Sequence, residues 1–220
     1  MLIDRQGNIL ETGGHNWENH LVEGKWTYGE DEIWHGLQEC YSDLASKVLQ
    51  KYDVRIERLS AIGISGMMHG YMPFDKEGNL LTAFRTWRNN ITGEVAGKLT
   101  KAFSFNIPQR WSIAHLYQAI LNNEEHVGKV DYITTLSGYV HWKLTGRKVI
   151  GIGEASGMFP IDPQIRNYQT DMIDIFDDMI SNRNYTWKLT DILPEVLVAG
   201  QNAGILTEEG AALMDTSGAL

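Results

Sequence analysis

The chain has 220 residues, 43% of them hydrophobic, and carries 19 basic against 28 acidic side chains for a formal net charge of −9. This length suffices for a substantial core, and the acidic balance argues against nucleic acid or an anionic membrane as the main partner. The single cysteine, Cys40, excludes an internal disulfide, and seven scattered histidines show no ligand spacing, so no metal site is predicted. The sequence shows no signal peptide and no apolar run near the roughly 20 residues of a membrane span, which predicts a cytoplasmic protein.

The chain opens on a hairpin pattern that recurs later. Residues 1–10 read apolar, Asp, basic, polar, Gly, Asn, apolar, Leu, and residues 73–81 repeat this order. Gly7 and Gly78 occupy the turns, where a left-handed backbone suits glycine. Shared turn chemistry suggests that one kind of unit is used twice.

A helix followed by a strand is predicted next. Apolar residues recur at helical spacing, and Asp31 is available as the cap of this helix: Ile33, Leu37, Tyr41, Leu44 and Val48. The stretch Ala61–Ile64 then reads as a short buried strand. This order is typical of a layered α/β domain.

The turn after this strand, residues 65–70, carries Met68 and His69 between two glycines. Ligands of open α/β sheets bind beyond the carboxyl ends of strands, so both side chains are candidate ligand contacts. Gly66 and Gly70 let a ligand approach the main chain. Packing is the competing interpretation, because methionine commonly fills irregular gaps.

An aromatic residue flanked by arginines follows the second hairpin. Trp87 is predicted either as a stacking wall for a ligand or as ordinary core. Arg85 and Arg88 are more typical of surface or ion-paired residues than of ligand contacts.

The remaining chain predicts further helices. They cover Ile91 to Leu99, Ser112 (as a cap) to Ile120, Asp131 to Leu144 with a stop at Gly146, Asp171 to Ile180, and a short helix from a Thr207 cap through Met214. No linker or low-complexity tract divides the chain. Residues 1–220 are therefore predicted to form a single domain.

Several of these segments together resemble one family. Residues 65–70 read Ser-Gly-Met-Met-His-Gly, Trp87 follows the hairpin, and residues 143–146 read Lys-Leu-Thr-Gly. This order resembles the N-terminal, sugar-binding domain of the FGGY carbohydrate kinases, and of xylulokinase-like members in particular. The resemblance implies an α/β fold of the ribonuclease H-like, actin-like ATPase type, with a mixed β-sheet flanked by helices. The family's first strand, which bears an Asp-x-Gly-Thr phosphate loop, has no counterpart here and is expected to be missing.

The resemblance also implies an activity, the ATP-dependent phosphorylation of a sugar hydroxyl on a ketopentose such as xylulose. ATP and Mg²⁺ would serve the complete enzyme, and none is expected to be held by this chain alone. The aspartate that acts as general base is expected beyond Leu220, with the C-terminal ATP-binding domain absent. The isolated chain is therefore expected to have little or no kinase activity.

The substrate contacts implied by the resemblance are Met68, His69, Trp87 and Arg110. Met68 would pack on the carbon skeleton, and a neutral His69 imidazole would bind a hydroxyl group. The Arg110 guanidinium would suit vicinal hydroxyls or a substrate carboxylate. Glu154 is interpreted as a hydrogen-bonded surface carboxylate and not as the base.

Two other classes of function remain open. A non-catalytic sugar-binding or regulatory domain would bind a sugar without ATP. An actin-like protein that serves assembly would bind nucleotide or oligomerise without regard to sugars. The expected partners are a sugar or polyol, a second copy of the chain or the missing C-terminal domain, with neither nucleic acid nor membrane.

Overall fold

The computed structural model describes residues 1–220 and has an α/β architecture, which confirms the predicted class. The helices are α1 Glu30–Tyr52, α2 Gly93–Phe103, α3 Ser112–Leu121, α4 Leu136–Thr145, α5 Ile152–Ala155, α6 Thr170–Met179, α7 Leu189–Ile192 and α8 Glu208–Met214. The strands are β1 Leu2–Ile3, β2 Ile9–Glu11, β3 His20–Val22, β4 Lys25–Thr27, β5 Met72–Phe74, β6 Tyr132–Thr134, β7 Val149–Gly151, β8 Ile161–Asp162, β9 Asn167–Tyr168 and β10 Glu195–Leu197. They pair two by two, with β7 and β10 parallel and the other four pairs antiparallel.

Both predicted turns are built in the same way. Gly7 has a φ of +86° and Gly78 a φ of +84°, as expected of glycine in a left-handed turn. The Asp4 carboxylate accepts a hydrogen bond from the Asn8 main chain at 2.8 Å, and Asp75 does the same for Asn79 at 2.8 Å. The second hairpin closes on an isolated bridge between Phe74 and Leu80 and not on a full strand.

Helix α1 forms where apolar periodicity placed it, but Asp31 is not its cap. Gly29 is the N-cap residue, and its N–H donates to the Glu32 carboxylate at 2.6 Å. Glu32 thus supplies one half of a capping box, while glycine has no side chain that could accept a hydrogen bond from the first turn. Asp31 lies in the first turn, where the helix dipole favours negative charge.

The predicted strand at Ala61–Ile64 is wrong. Residues 54–69 take part in no main-chain to main-chain hydrogen bond, and Ile62 is 40% exposed. A strand is stable only when a neighbour completes its ladder, and no strand of the structure pairs with this segment.

The predicted helix from Asp131 is wrong in its first third. Tyr132–Thr134 is strand β6, which pairs antiparallel with β5. Helix α4 begins at Leu136, after Thr135 caps it by accepting from the Gly138 N–H. Cross-strand packing outweighs helical spacing when a partner strand is available. The stop at Gly146 is confirmed by its φ of +72°.

The starts of helices α3, α2 and α8 are also defined by the structure. Ser112 is the first residue of α3 and not its cap, which is Trp111. Ile91 lies before α2 and is exposed. The cap at Thr207 is confirmed, since its side chain accepts from the Gly210 N–H at 3.0 Å.

The core has two main parts. One cluster of 26 buried residues is centred on α2, α3 and α6. A second cluster of nine buried residues lies between β5, β6, α1 and α4, and Phe74 stacks there on Tyr139 with ring centroids 5.4 Å apart. None of the helices combines the length and the apolar character that crossing a bilayer requires.

Candidate functional site

The Met68–His69 turn is held from two sides. The Ser112 hydroxyl donates to the Gly70 carbonyl at 2.5 Å, which ties the turn to the start of α3. Gly70 has a φ of +136°, a conformation that favours glycine. On the other side Gly157 packs so closely that an added Cβ would meet the Met68 carbonyl oxygen and lie 2.8 Å from His69 Nδ1. The turn is therefore fixed by neighbours distant in sequence.

His69 is half-buried and chemically unsatisfied. Its Nδ1 is buried without a hydrogen-bond partner. Burial lowers the pKa of His69 below its usual 6.5, and the charge of Arg110 lowers it further, against an opposing effect of the Gly157 main chain. The imidazole is therefore neutral at pH 7 and offers one donor and one acceptor.

Trp87 lies at the surface and not in the core. It is 38% exposed, and the Arg110 guanidinium carbon lies 5.5 Å from its ring centroid. Arg110 also acts electrostatically on His69. Arg110 thus lies beside Trp87 and within electrostatic range of His69. Met68 belongs to the same turn and is 36% exposed.

The sequence did not predict that Trp26 and Arg88 lie next to Trp87. The Arg88 guanidinium carbon lies 4.7 Å from the Trp26 ring centroid and 5.8 Å from that of Trp87. The buried Asn89 holds Trp26 in place, since its amide group both donates to and accepts from the Trp26 main chain. Arg88 thus lies near both tryptophan rings, and Arg110 lies near that of Trp87. No local signal links Trp26 to Trp87, because their proximity depends on tertiary packing.

Arg85 does not contact the surface at all. It is fully buried and forms an ion pair with Glu124, while its guanidinium lies 5.3 Å from the Tyr71 ring centroid. The Tyr71 hydroxyl makes a 2.9 Å hydrogen bond with His126 Nε2. Burial lowers the pKa of His126 to about 4, so this imidazole is neutral at pH 7. The ion-paired interpretation of Arg85 is confirmed. The Arg85 main chain packs against Gly70.

Glu154 is less solvated than a surface carboxylate. It lies on the short helix α5, and the Thr135 hydroxyl donates to its Oε1 at 3.3 Å. Burial raises the pKa of Glu154 to about 7, and the bond from Thr135 opposes this shift. At neutral pH the group is divided between its two protonation states.

The four predicted contacts border an open surface and not the apolar cavity nearby. That cavity, of about 360 Å³, lies between α1 and residues 64–67. Met67 lines it, whereas Met68, His69, Trp87 and Arg110 do not.

The residues present do not form a site for Mg·ATP. The structure contains no group of three His, Cys, Asp or Glu side chains placed to hold a metal ion. The sequence contains no Gly-x-x-x-x-Gly-Lys loop to cradle phosphates.

The structure is an α/β fold with exposed polar and aromatic side chains near the neutral His69. The family model described as "FGGY family of carbohydrate kinases, N-terminal domain" matches residues 1–217. The chain therefore belongs to the FGGY family of carbohydrate kinases, which confirms the resemblance seen in the sequence.

Individual relatives are distant. The xylulose kinase of Staphylococcus xylosus is 19% identical over 95% of this chain and 42% of its own length. The glycerol kinase of Thermococcus kodakarensis is 21% identical over 95% of this chain and 42% of its own. A solved structure of a "xyloylose kinase" from Brucella ovis matches with a TM-score of 0.74 and 16% identity, over 96% of this chain and 42% of that one. The chain thus spans less than half the length of these relatives.

Proposed function

We propose that this chain is the sugar-binding part of a carbohydrate kinase, and that residues 1–220 act as one unit in this role. The observation that carries the proposal is the position of Arg110, which lies beside Trp87 and within electrostatic range of His69 on a turn that α3 and Gly157 hold in place. A sugar offers hydroxyl groups to polar side chains and C–H faces to an aromatic ring, and this surface has both.

Each side chain has a defined task in the proposed complex. The neutral imidazole of His69 exchanges a hydrogen bond with a hydroxyl group through its Nε2 atom, because Nδ1 is buried against Gly157. Trp87 stacks on the carbon skeleton, and Met68 packs beside it. Arg110 donates to oxygens of the ligand. A ketopentose such as xylulose is the first ligand to test, since xylulose kinases are among the relatives.

The groups for phosphoryl transfer would be supplied from outside these residues. Transfer needs a carboxylate to accept the hydroxyl proton and cations to neutralise the phosphates. The relatives are more than twice as long as this chain, which leaves room for both, and ATP and Mg²⁺ would serve the enzyme as a whole. The chain alone is expected to bind sugar without phosphorylating it.

Isothermal titration of the chain with D-xylulose, L-ribulose, glycerol and gluconate, each with and without Mg·ATP, tests the proposal. We expect at least one sugar to bind, and His69→Ala to abolish that binding. The matched control is His35→Ala, because the His35 side chain is 66% exposed on α1. Binding that survives His69→Ala, or no binding by any sugar, would contradict the proposal. ATP-dependent phosphorylation by the chain alone would contradict the expected division of labour.

A further inference from the structure

Helices α2 and α3 both begin without a hydrogen bond from a side-chain cap. Thr92 is the N-cap residue of α2, yet its hydroxyl accepts from no N–H of the helix. The N-cap residue of α3 is Trp111, which has no oxygen to offer, and Ser112 at the first helical position directs its hydroxyl elsewhere. A hydroxyl that caps a helix stabilises it, so both helices lack a common source of stability. Local rules that a sequence breaks in this way are expected at functional sites.

The two hydroxyls bond instead to carbonyl groups of other segments. The Thr92 hydroxyl donates to the Gln109 carbonyl, and the Ser112 hydroxyl donates to the Gly70 carbonyl at 2.5 Å. Thr92 and Ser112 are both fully buried, with 0% of either residue exposed. Removing a buried donor leaves its acceptor without that partner, so each bond resists separation of the two segments that it joins.

Arg110 lies between these two bonds. It follows Gln109 directly and precedes Ser112 by two residues, so the chain on either side of it is tied down. Its own side chain is exposed. The guanidinium carbon lies 5.5 Å from the Trp87 ring centroid, and its charge acts on His69. The placement of this guanidinium group therefore depends on how its main chain is held.

We propose that Thr92 and Ser112 are positioning residues of the candidate site. The Thr92 hydroxyl keeps Arg110 next to Trp87. The Ser112 hydroxyl keeps the turn that carries His69 next to the same guanidinium group. Both residues are buried, so they act through these neighbours and not by contact with a ligand. This inference rests on the proposed function and adds to it the two residues that set the relative placement of its binding groups.

Thr92→Val and Ser112→Ala, which remove a hydroxyl with little change of shape, test the proposal. Isothermal titration with the sugar that the unaltered chain binds is expected to show roughly three- to tenfold weaker binding by each variant, an effect typical of one lost hydrogen bond. Thr92→Ser, which keeps the hydroxyl, should bind as the unaltered chain does.

The pKa of His69, measured by NMR titration of the chain without sugar, is a second readout. Burial and the charge of Arg110 both hold this pKa below 6.5. Ser112→Ala should raise it toward 6.5, because the turn is then free to move away from both influences. Thr92→Val should raise it less, since only Arg110 is released. The spectrum of His69→Ala identifies the resonance.

Thr207→Val is the matched control, because the Thr207 hydroxyl does cap its helix, α8. It should lower stability in urea unfolding and leave both the affinity and the pKa of His69 unchanged. If folded Thr92→Val and Ser112→Ala chains lose only stability, as this control does, the inference is overturned. If one of the two does not fold, the other decides.

The two readouts separate this inference from the proposed function. If no sugar binds to the unaltered chain, the proposed function fails. The pKa of His69 in Ser112→Ala then decides alone: a rise supports the positioning role, and an unchanged value overturns it.

Discussion

The most perturbed carboxyl group near the site belongs to Glu154. Burial raises its pKa from 4.5 to about 7, while the Thr135 hydroxyl stabilises the charged form only in part. Its neighbour in the fold, Gly157, packs on the Met68–His69 turn. Protonation of this side chain is therefore coupled to the stability of the region that supports the turn.

The raised pKa of Glu154 makes the fold less stable as the pH rises. Between pH 4.5 and about 7 the folded chain binds the proton of Glu154 more tightly than the unfolded chain does, so this group stabilises the fold at low pH. That contribution is lost as the pH rises through this window. We expect the free energy of unfolding of Glu154→Gln to fall less than that of the unaltered chain between about pH 5 and about pH 8. Glutamine keeps an acceptor for Thr135.

Urea unfolding at several pH values measures this difference. Glu57→Gln is the control, because Glu57 is exposed and forms no salt bridge. Parallel curves for Glu154→Gln and the unaltered chain would show that the carboxyl titrates normally and that the predicted burial effect is absent.

Among the elements, the connection after α5 decides the shape of the candidate site. Gly153 lies within α5 and Gly157 lies two residues after its end, and their surroundings differ. A Cβ at Gly157 would meet the Met68 carbonyl oxygen and His69 Nδ1, whereas a Cβ at Gly153 has nothing within 4 Å. Neither glycine has a positive φ, so the two alanine variants differ in the space around the new Cβ and not in backbone strain.

Gly157→Ala is accordingly expected to displace the turn and to weaken sugar binding by about tenfold or more, because small misplacements of positioned groups are costly. Gly153→Ala should leave binding unchanged. Titration of the two variants with the sugar that the unaltered chain binds measures the effect. Equal affinities would mean that the turn shifts without consequence, and hence that His69 is not positioned by Gly157.

Main-chain hydrogen bonds are unevenly distributed across the molecule. Residues 54–69 lack main-chain hydrogen bonds to other main-chain groups, whereas α3 is a buried helix at the centre of the larger core cluster. Local opening costs little where few hydrogen bonds and contacts must break. The segment that carries His69 is thus joined to the fold chiefly by side-chain packing and by the bond from Ser112.

Hydrogen exchange followed by mass spectrometry tests this distribution. Peptides within residues 54–69 are expected to exchange rapidly, and those of α3 to exchange slowly. The predicted ligand should slow exchange at residues 65–70, since binding restrains the turn. Protection of Ala61–Ile64 equal to that of α3 in the free chain would indicate that this stretch pairs as a strand after all.

Much of the architecture could be predicted from local patterns. Helix α1 follows from apolar spacing, the turns at Gly7 and Gly78 from glycine between Asp and Asn, and the end of α4 from Gly146. These features depend on neighbours within a few residues, so the sequence alone specifies them. The family, too, followed from short motifs that lie within single turns.

Tertiary structure decided the rest. Tyr132–Thr134 became a strand because β5 lies alongside, and Ala61–Ile64 did not because no strand lies alongside it. Arg85 is buried and forms an ion pair with Glu124, and Arg88 lies over Trp26. Both partners are far away in the sequence. Local propensity determined which segments were able to form helices and turns. Contacts between distant segments determined which side chains met, because burial and pairing depend on neighbours that only the folded chain supplies.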